Sequence, residues 1–234
     1  MTAETRDWTD TRRSIVRDAL GVGTAVGAYA LSYGAIATTS GLSVVQACAT
    51  SLLIFTGASQ FALIGVVAGG GNPISGAFAA LLLGSRNMLY GLRLAPTLGL
   101  RGRRRLLGAQ FVIDESSAMA FARSDPQSAR LAFWATGLSI FAFWNLATLI
   151  GAVGAAALAD PTVLGLDAAV PAAFLALLWP RLRGGEMWAL ALAAAAVALL
   201  LVPFVPPGVP VLAAALVAVA FGLRRTRTPG RESS

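Results

Sequence analysis

The chain consists of long apolar runs separated by short polar or glycine-rich interruptions. Several runs reach the roughly 20 residues that a helix needs to cross the hydrocarbon core of a bilayer. Apolar and polar residues do not alternate within these runs, which argues against the strands of a membrane β-barrel. The pattern therefore predicts an all-α, polytopic helical membrane protein with about six full spans plus two broken or re-entrant segments.

The predicted full spans are apolar runs with few charges, at Ala19–Thr38, Ile74–Pro96, Leu131–Leu158, Thr162–Pro180, Met187–Val202 and Val209–Leu223. The first is rich in glycine, and small residues allow helices to approach closely in lipid, so we expect it inside the bundle. Residues 1–18 are predicted to be a cytoplasmic N-terminal tail, residues 19–223 the transmembrane transport domain, and residues 224–234 a basic cytoplasmic tail.

Residues 42–69 are too long for one comfortable span and too short for two. If they crossed once, the next helix would deliver the basic sequence RGRRR at 101–105 to the outside, against the preference of Arg and Lys for the cytoplasmic side. We therefore predict a re-entrant pair of helices that bends at Thr56–Gln60. One long, tilted helix with a polar kink remains the alternative.

Residues 106–122 pose the same question, because Asp114 and Glu115 lie in the middle of this apolar segment. An acid at the centre of a span costs on the order of 2–3 kcal/mol on insertion scales. A non-crossing segment also keeps the later arginines and the basic tail on the cytoplasmic side. We therefore expect no crossing here, with both termini in the cytoplasm and the protein in the bacterial cytoplasmic membrane.

Charge and residue usage exclude several classes of function. The net charge is +7, but the arginines cluster in short loops and tails, which indicates topology rather than nucleic-acid binding. The single cysteine, Cys48, cannot form an intrachain disulfide or a thiolate cluster. The chain has no histidine, so Ser59 lacks the usual base that activates a serine nucleophile. We expect no enzyme activity, no metal and no cofactor.

Arg86 lies about twelve residues inside its predicted span, where charged side chains are costly. One interpretation is a structural ion pair with Asp114 or Glu115, and the other is contact with the carboxylate of a substrate. Both hold if the acid and the substrate compete for one guanidinium. Asn87 follows directly and adds a hydrogen-bonding amide.

Two further groups of residues are candidates for substrate contact. The interruption that contains Gly57, Ser59 and Gln60 can present backbone amides at the positive end of a half-helix, or it is a packing kink of small residues. Asp114 and Glu115 diverge by about 100° on a helix, so they cannot form one carboxylate pair, although one of them could carry a proton. Trp144 and Asn145 are secondary candidates: Trp144 for an interior surface, Asn145 for a hydrogen bond between helices.

Three of these features, in this order and spacing, resemble one known family. The run GASQFA at 57–62 resembles the signature of the AzlC-like branched-chain amino acid permeases, which include the YgaZ exporters, and SYGAIATTSGLSVVQA at 32–47 supports it. RNMLYG at 86–91 resembles the third-span motif, and Asp114-Glu115 after RGRRR resembles the third landmark. The chain departs from the pattern at Gly84, where the family has asparagine, and at Asn87, where histidine often follows the arginine.

The resemblance implies a secondary transporter that exports branched-chain amino acids together with a small AzlD-like membrane protein. It also implies that Arg86 and the Gly57–Gln60 interruption bind the substrate carboxylate, while Asp114 or Glu115 meets the ammonium group or relays the driving proton. Because Asn87 replaces a titratable ring, a histidine-based proton step is excluded. The alternative is a small-solute channel or a structural membrane subunit without coupled transport.

Overall fold

The computed structural model describes residues 3–157, 182–205 and 209–227, together with residues 175, 178 and 179. These parts of the chain contain helices and no strand. The helices are α1 (Ala3–Thr39), α2 (Val44–Ile54), α3 (Ala58–Ala68), α4 (Pro73–Gly84), α5 (Arg86–Leu98), α6 (Arg103–Gln110), α7 (Asp114–Phe121), α8 (Pro126–Ala156), α9 (Gly185–Leu201) and α10 (Val209–Arg227).

The centre of the fold is a parallel pair formed by α1 and α8. Gly27 of α1 faces Phe143 of α8, and Gly34 faces Ala152 about two turns further along both helices. Asp125 caps the start of α8 by accepting a hydrogen bond from the Ser128 N–H at 2.7 Å. This bond lowers the pKa of the Asp125 carboxyl. We call the end at which α1 and α8 begin the proximal end and the opposite end the distal end.

Helices α2 and α3 form a hairpin that enters the bundle from the distal end. The Ser51 hydroxyl of α2 lies 3.2 Å from that of Thr148, and the Phe55 ring packs on Phe141, about two turns nearer the proximal end. The chain then turns at Gly57, which has φ 58°, a conformation that favours glycine. The break predicted at Thr56–Gln60 is therefore present.

Helices α4 and α5 are two halves of one broken helix. The start of α4 packs on the second half of α3, since a Cβ added at Gly76 would lie 2.9 Å from Leu63 Cδ1. The halves join at Ser85, which keeps helical φ and ψ of −58° and −26°. Helix α5 ends at the proximal end, where Arg130 Nε donates to the Thr97 carbonyl oxygen at 2.6 Å. The broken helix thus runs from the distal to the proximal end.

Helices α6 and α7 form a second hairpin, which enters from the proximal end. Its turn lies deep in the bundle, where Phe111 packs on Phe55 and Phe141. The Ser116 hydroxyl donates to the Phe111 carbonyl oxygen at 2.6 Å, so this backbone acceptor in the turn has a hydrogen-bond partner. The chain returns to the proximal end, where Arg123 lies 3.7 Å from Asp18. This course agrees with the predicted non-crossing segment at 106–122.

The predicted spans agree with the helices only in part. Two described helices, Trp8–Thr39 and Pro126–Ala156, are long and apolar enough to cross a bilayer. The predicted full span Ile74–Pro96 corresponds to α4 and α5, with a break at Ser85 that was not predicted. Helix α1 begins at Ala3, so it includes most of the predicted tail, and the boundary at residue 18 stays a prediction. Most of the predicted span Thr162–Pro180 lies outside the described residues.

The remaining predicted spans, Met187–Val202 and Val209–Leu223, correspond to α9 and α10. No residue of α9 is buried, which is consistent with a lipid-facing or subunit-facing helix. The fold is all-helical in the parts of the chain that the structure describes, and the total of six full spans stays a prediction.

Candidate functional site

Three broken helical segments meet at the middle of the α1–α8 pair. Helix α3 begins at Ala58, α5 at Arg86 and α7 at Asp114, and residues from all three starts line one central cavity. The first amides of a helix have no intrahelical acceptor and give its N-terminus a positive partial charge. Three positive helix ends therefore converge on one space, a geometry that suits an anionic group.

The central cavity has a volume of about 340 Å³ and a mixed lining. Its apolar wall comes mainly from α1, α8 and the α2–α3 turn, and includes Val26, Phe55, Ile140 and Trp144. Its charged wall consists of Arg86, Asp114 and Glu115. A mostly apolar pocket with a few convergent polar groups is typical of a site for a small organic ligand.

The charged wall contains an ion pair between Arg86 and Asp114, with Nη2 and Oδ2 at 2.8 Å. Each of the two side chains is 26% exposed, so the pair is partly withdrawn from solvent. Asp114 and Glu115 occupy the first turn of α7, where the helix dipole favours acids. Arg86 occupies the first turn of α5, where the dipole disfavours a cation, so helix stability does not explain its position.

Of the residues predicted in the α2–α3 interruption, only Gly57 lines the central cavity. A Cβ added to Gly57 would lie 3.5 Å from the Trp144 ring. Gln60 is buried below the turn, where its Oε1 accepts a hydrogen bond from the Gly57 N–H at 3.3 Å. Gln60 thus holds the turn in shape. Ser59 is also buried and faces a second cavity instead.

The other predicted residues separate in a similar way. Trp144 lines the central cavity, as expected of an interior surface, whereas Asn87 lines the second cavity. The prediction that Asn145 bonds between helices was wrong, because its Nδ2 donates to the Phe141 carbonyl oxygen of its own helix at 2.8 Å. A polar residue on a long apolar helix satisfies part of its side chain most easily with the preceding turn.

Sequence reasoning missed Tyr29 and Thr56, which also line the central cavity. Tyr29 packs on Phe61, with ring centroids 5.0 Å apart. Among the described residues, Tyr29 Oη, Thr56 Oγ1, Trp144 Nε1 and Arg86 Nε are buried polar atoms without a hydrogen-bond partner. Such atoms are rare in folded proteins and need an explanation, and a bound polar ligand provides one. A tyrosine within an apolar run was the available signal in the sequence.

The fold and the cavity define a helical membrane protein that holds a charged pocket between broken helices. Comparison with known families identifies it more closely: the model of the AzlC protein family matches residues 21–158, which include the second half of α1 and all of α2–α8. The chain belongs to the AzlC family. The matched region contains every residue of the central cavity.

A relative from Archaeoglobus fulgidus, described as an uncharacterized membrane protein, is 33% identical over 172 residues. This alignment covers 73% of the present chain and 75% of the relative. No solved structure matches the chain. The resemblance seen in the sequence is thus confirmed at the level of the family, and the membrane character agrees with that of the relative.

Proposed function

We propose that this chain is the substrate-binding subunit of a secondary transporter that exports branched-chain amino acids across the bacterial cytoplasmic membrane. Membership of the AzlC family is consistent with a component of branched-chain amino acid transport. The observation that carries the proposal is the Arg86–Asp114 pair in a largely apolar cavity at the starts of three helices. Ionisable residues at such a depth usually mark a substrate or ion pathway.

The cavity offers a partner for each part of an amino-acid zwitterion. The carboxylate binds the Arg86 guanidinium and the positive starts of α3 and α5. The ammonium group binds Glu115 or Asp114. The aliphatic side chain packs on the apolar wall, of which Phe55 and Ile140 are part. A site that pairs both charges and encloses an apolar group discriminates against ions and sugars.

The same ion pair supplies a way to couple transport to a proton gradient. The Asp114 carboxyl can hold either the ammonium group of the substrate or a proton, but not both at once. When the substrate enters from the cytoplasm, its carboxylate takes the guanidinium that Asp114 holds at 2.8 Å, and its ammonium group displaces the proton, which leaves to the cytoplasm. When the substrate leaves to the outside, the carboxyl takes up a proton there. Substrate and proton therefore compete for one residue and move in opposite directions, as export driven by an inward proton gradient requires. A small AzlD-like membrane protein is the proposed partner of the assembled exporter.

Efflux of labelled valine or leucine from preloaded proteoliposomes tests this function. The chain is reconstituted alone and with the candidate small partner, with and without an imposed proton gradient. We expect efflux that depends on the proton gradient and exceeds the efflux from preloaded liposomes without protein. A passive channel gives efflux that is indifferent to the gradient. Absence of efflux from every preparation overturns the amino-acid assignment.

Replacing Asp114 with asparagine tests the coupling step separately. The amide retains a hydrogen-bonding oxygen for Arg86 but cannot take up a proton, so substrate binding persists while gradient-driven efflux is lost. Exchange of internal for external labelled valine without a gradient should continue at a rate near that of the wild type. Efflux that still responds to the gradient in this variant removes Asp114 from the coupling mechanism.

A further inference from the structure

A second cavity of about 510 Å³ lies on the other side of the α2–α3 turn. Its walls come from the end of α2, the start of α3, the α4–α5 junction and the end of α6. Whereas the central cavity is lined by Arg86, Asp114 and Glu115, the second cavity is lined by no charged residue of the described chain. Its polar groups are hydroxyls and amides, contributed by Thr56, Ser59, Ser85, Asn87 and Gln110.

The two cavities are neighbours that share one wall. Phe55 and Thr56 line both of them. Consecutive residues at the start of α5 divide between the two spaces, with Arg86 in the central cavity and Asn87 in the second. The barrier therefore consists of a few residues at a helix break, and breaks of this kind are where membrane proteins change shape most readily.

Several polar atoms in and beside the second cavity are unsatisfied. Asn87 Oδ1 and Thr56 Oγ1 are buried and have no hydrogen-bond partner among the described residues. The amide oxygen can accept a hydrogen bond from an ammonium group, and the Ser59 hydroxyl can donate to a carboxylate, whereas the Ser85 hydroxyl already donates to the Leu82 carbonyl oxygen at 2.7 Å. The apolar remainder of the wall, which includes Ile54 and Leu63, suits an aliphatic chain.

We propose that the second cavity is a second station for the transported amino acid, reached from the central cavity by displacement of the Phe55–Thr56 wall. This inference rests on the proposed function. Because the second station offers hydrogen bonds but no opposite charge, it binds the zwitterion more weakly than the central cavity does. A transport path needs a site that releases its cargo as well as one that captures it.

Cysteine labelling tests the second station directly. In a Cys48→Ser background, single cysteines replace Ser85 in the second cavity, Ala25 in the central cavity and Arg103, which is exposed at the start of α6 and lines neither cavity. Each variant is reconstituted with the partner and treated with a charged, membrane-impermeant methanethiosulfonate reagent, with and without valine. Ala77→Cys, in the wall of the second cavity, serves if the Ser85 variant does not fold.

We expect the Ser85→Cys and Ala25→Cys thiols to react, because thiolates form in contact with water. Valine at ten times the dissociation constant of the central cavity should slow the reaction of Ala25→Cys by about tenfold. It should slow the reaction of Ser85→Cys by less, and the protection of Ser85→Cys should grow as the valine concentration is raised further, because the second station binds valine more weakly. The reaction rate of the Arg103→Cys thiol should not depend on valine.

Protection of Ala25→Cys without protection of Ser85→Cys overturns the second station and leaves the proposed function intact. If the Ser85→Cys thiol reacts with a lipid-soluble maleimide but not with the charged reagent, the second cavity is filled with lipid, and this result also overturns the second station. Protection at neither position, together with absence of wild-type efflux, overturns both proposals.

Discussion

Replacement of Arg86 with alanine should lower valine and leucine efflux by about 10- to 100-fold while leaving the protein folded in the membrane. The guanidinium is the only cation in the lining of the central cavity, as far as the described chain shows. Its charge-assisted hydrogen bonds to a carboxylate are each worth about 1.5–3 kcal/mol. Loss of one such bond weakens substrate binding by about 10- to 100-fold. Efflux at substrate concentrations near the dissociation constant should fall by a similar factor.

The substitution also leaves Asp114 without its partner at 2.8 Å. Removing one member of a buried ion pair costs more than the pair itself contributes, because the remaining charge is left uncompensated. We expect the variant to lose coupling together with affinity, because Arg86 no longer holds the Asp114 carboxylate in place. Protection of Ala25→Cys that is lost near the wild-type dissociation constant but regained with about 100-fold more valine shows weakened binding in a folded protein.

Arg86→Lys and Arg93→Ala are the matched comparisons. Lysine keeps the charge but loses the planar fork that binds carboxylates through two parallel hydrogen bonds, so we expect partial activity. Arg93 lies on the same helix, with its guanidinium carbon 4.4 Å from the centre of the Phe121 ring, outside the central cavity. Its replacement should change efflux little. Equal losses in the Arg86→Ala and Arg93→Ala variants would refute a substrate role for Arg86.

The sequence alone singled out Arg86, because the free-energy cost of an arginine in an apolar membrane segment is visible from that segment without any knowledge of the fold. An arginine and two acids in runs that must be buried require partners, and so pairing with Asp114 or Glu115 was one of the two interpretations. The structure shows that pair. The breaks near Gly57 and before Asp114 were predictable for the same reason, since polar residues interrupt apolar runs there.

The Ser85 break and the role of Tyr29 were not predictable in this way. Residues 76–84 read as a uniform apolar run, and no polar residue within it signals an interruption at Ser85. Whether a tyrosine lines a cavity or packs in the core depends on which helix faces it, and that is a property of tertiary packing. Ser59 and Asn87 illustrate the same limit: they belong to predicted motifs, yet they face the second cavity.

The parallel α1–α8 pair depends on glycine at points where the two backbones nearly touch. An added Cβ at Gly34 would lie 2.8 Å from the Ala152 nitrogen and would collide with the Thr148 carbonyl oxygen. A glycine of α8 is packed as closely against α1, because a Cβ added at Gly151 would collide with the Leu31 carbonyl oxygen. Both contacts are with backbone atoms, which cannot move aside as the end of a flexible side chain can. Small residues at such crossings allow close packing in a bilayer, where there is no hydrophobic drive between helices.

Replacement of Gly34 with leucine should therefore destabilise the whole bundle. Overpacking a well-packed contact typically costs about 1–3 kcal/mol, and a backbone-to-backbone contact leaves no rotamer that relieves it. Because Tyr33 and Trp144 belong to the core that this contact closes, we expect the central cavity to lose its shape as well. Thermal unfolding in detergent, followed by size-exclusion profile and tryptophan fluorescence, should show a clearly lower midpoint and reduced valine efflux.

Gly21→Leu is the matched control on the same helix, because a Cβ at Gly21 meets nothing within 4 Å. Both substitutions remove a helical glycine, which by itself favours the helix by up to about 1 kcal/mol. The control should therefore unfold at or slightly above the midpoint of the wild type. If the Gly34→Leu protein unfolded at the same temperature as the control, α1 and α8 would not be held together by the contact at Gly34, and the central cavity would require a different support.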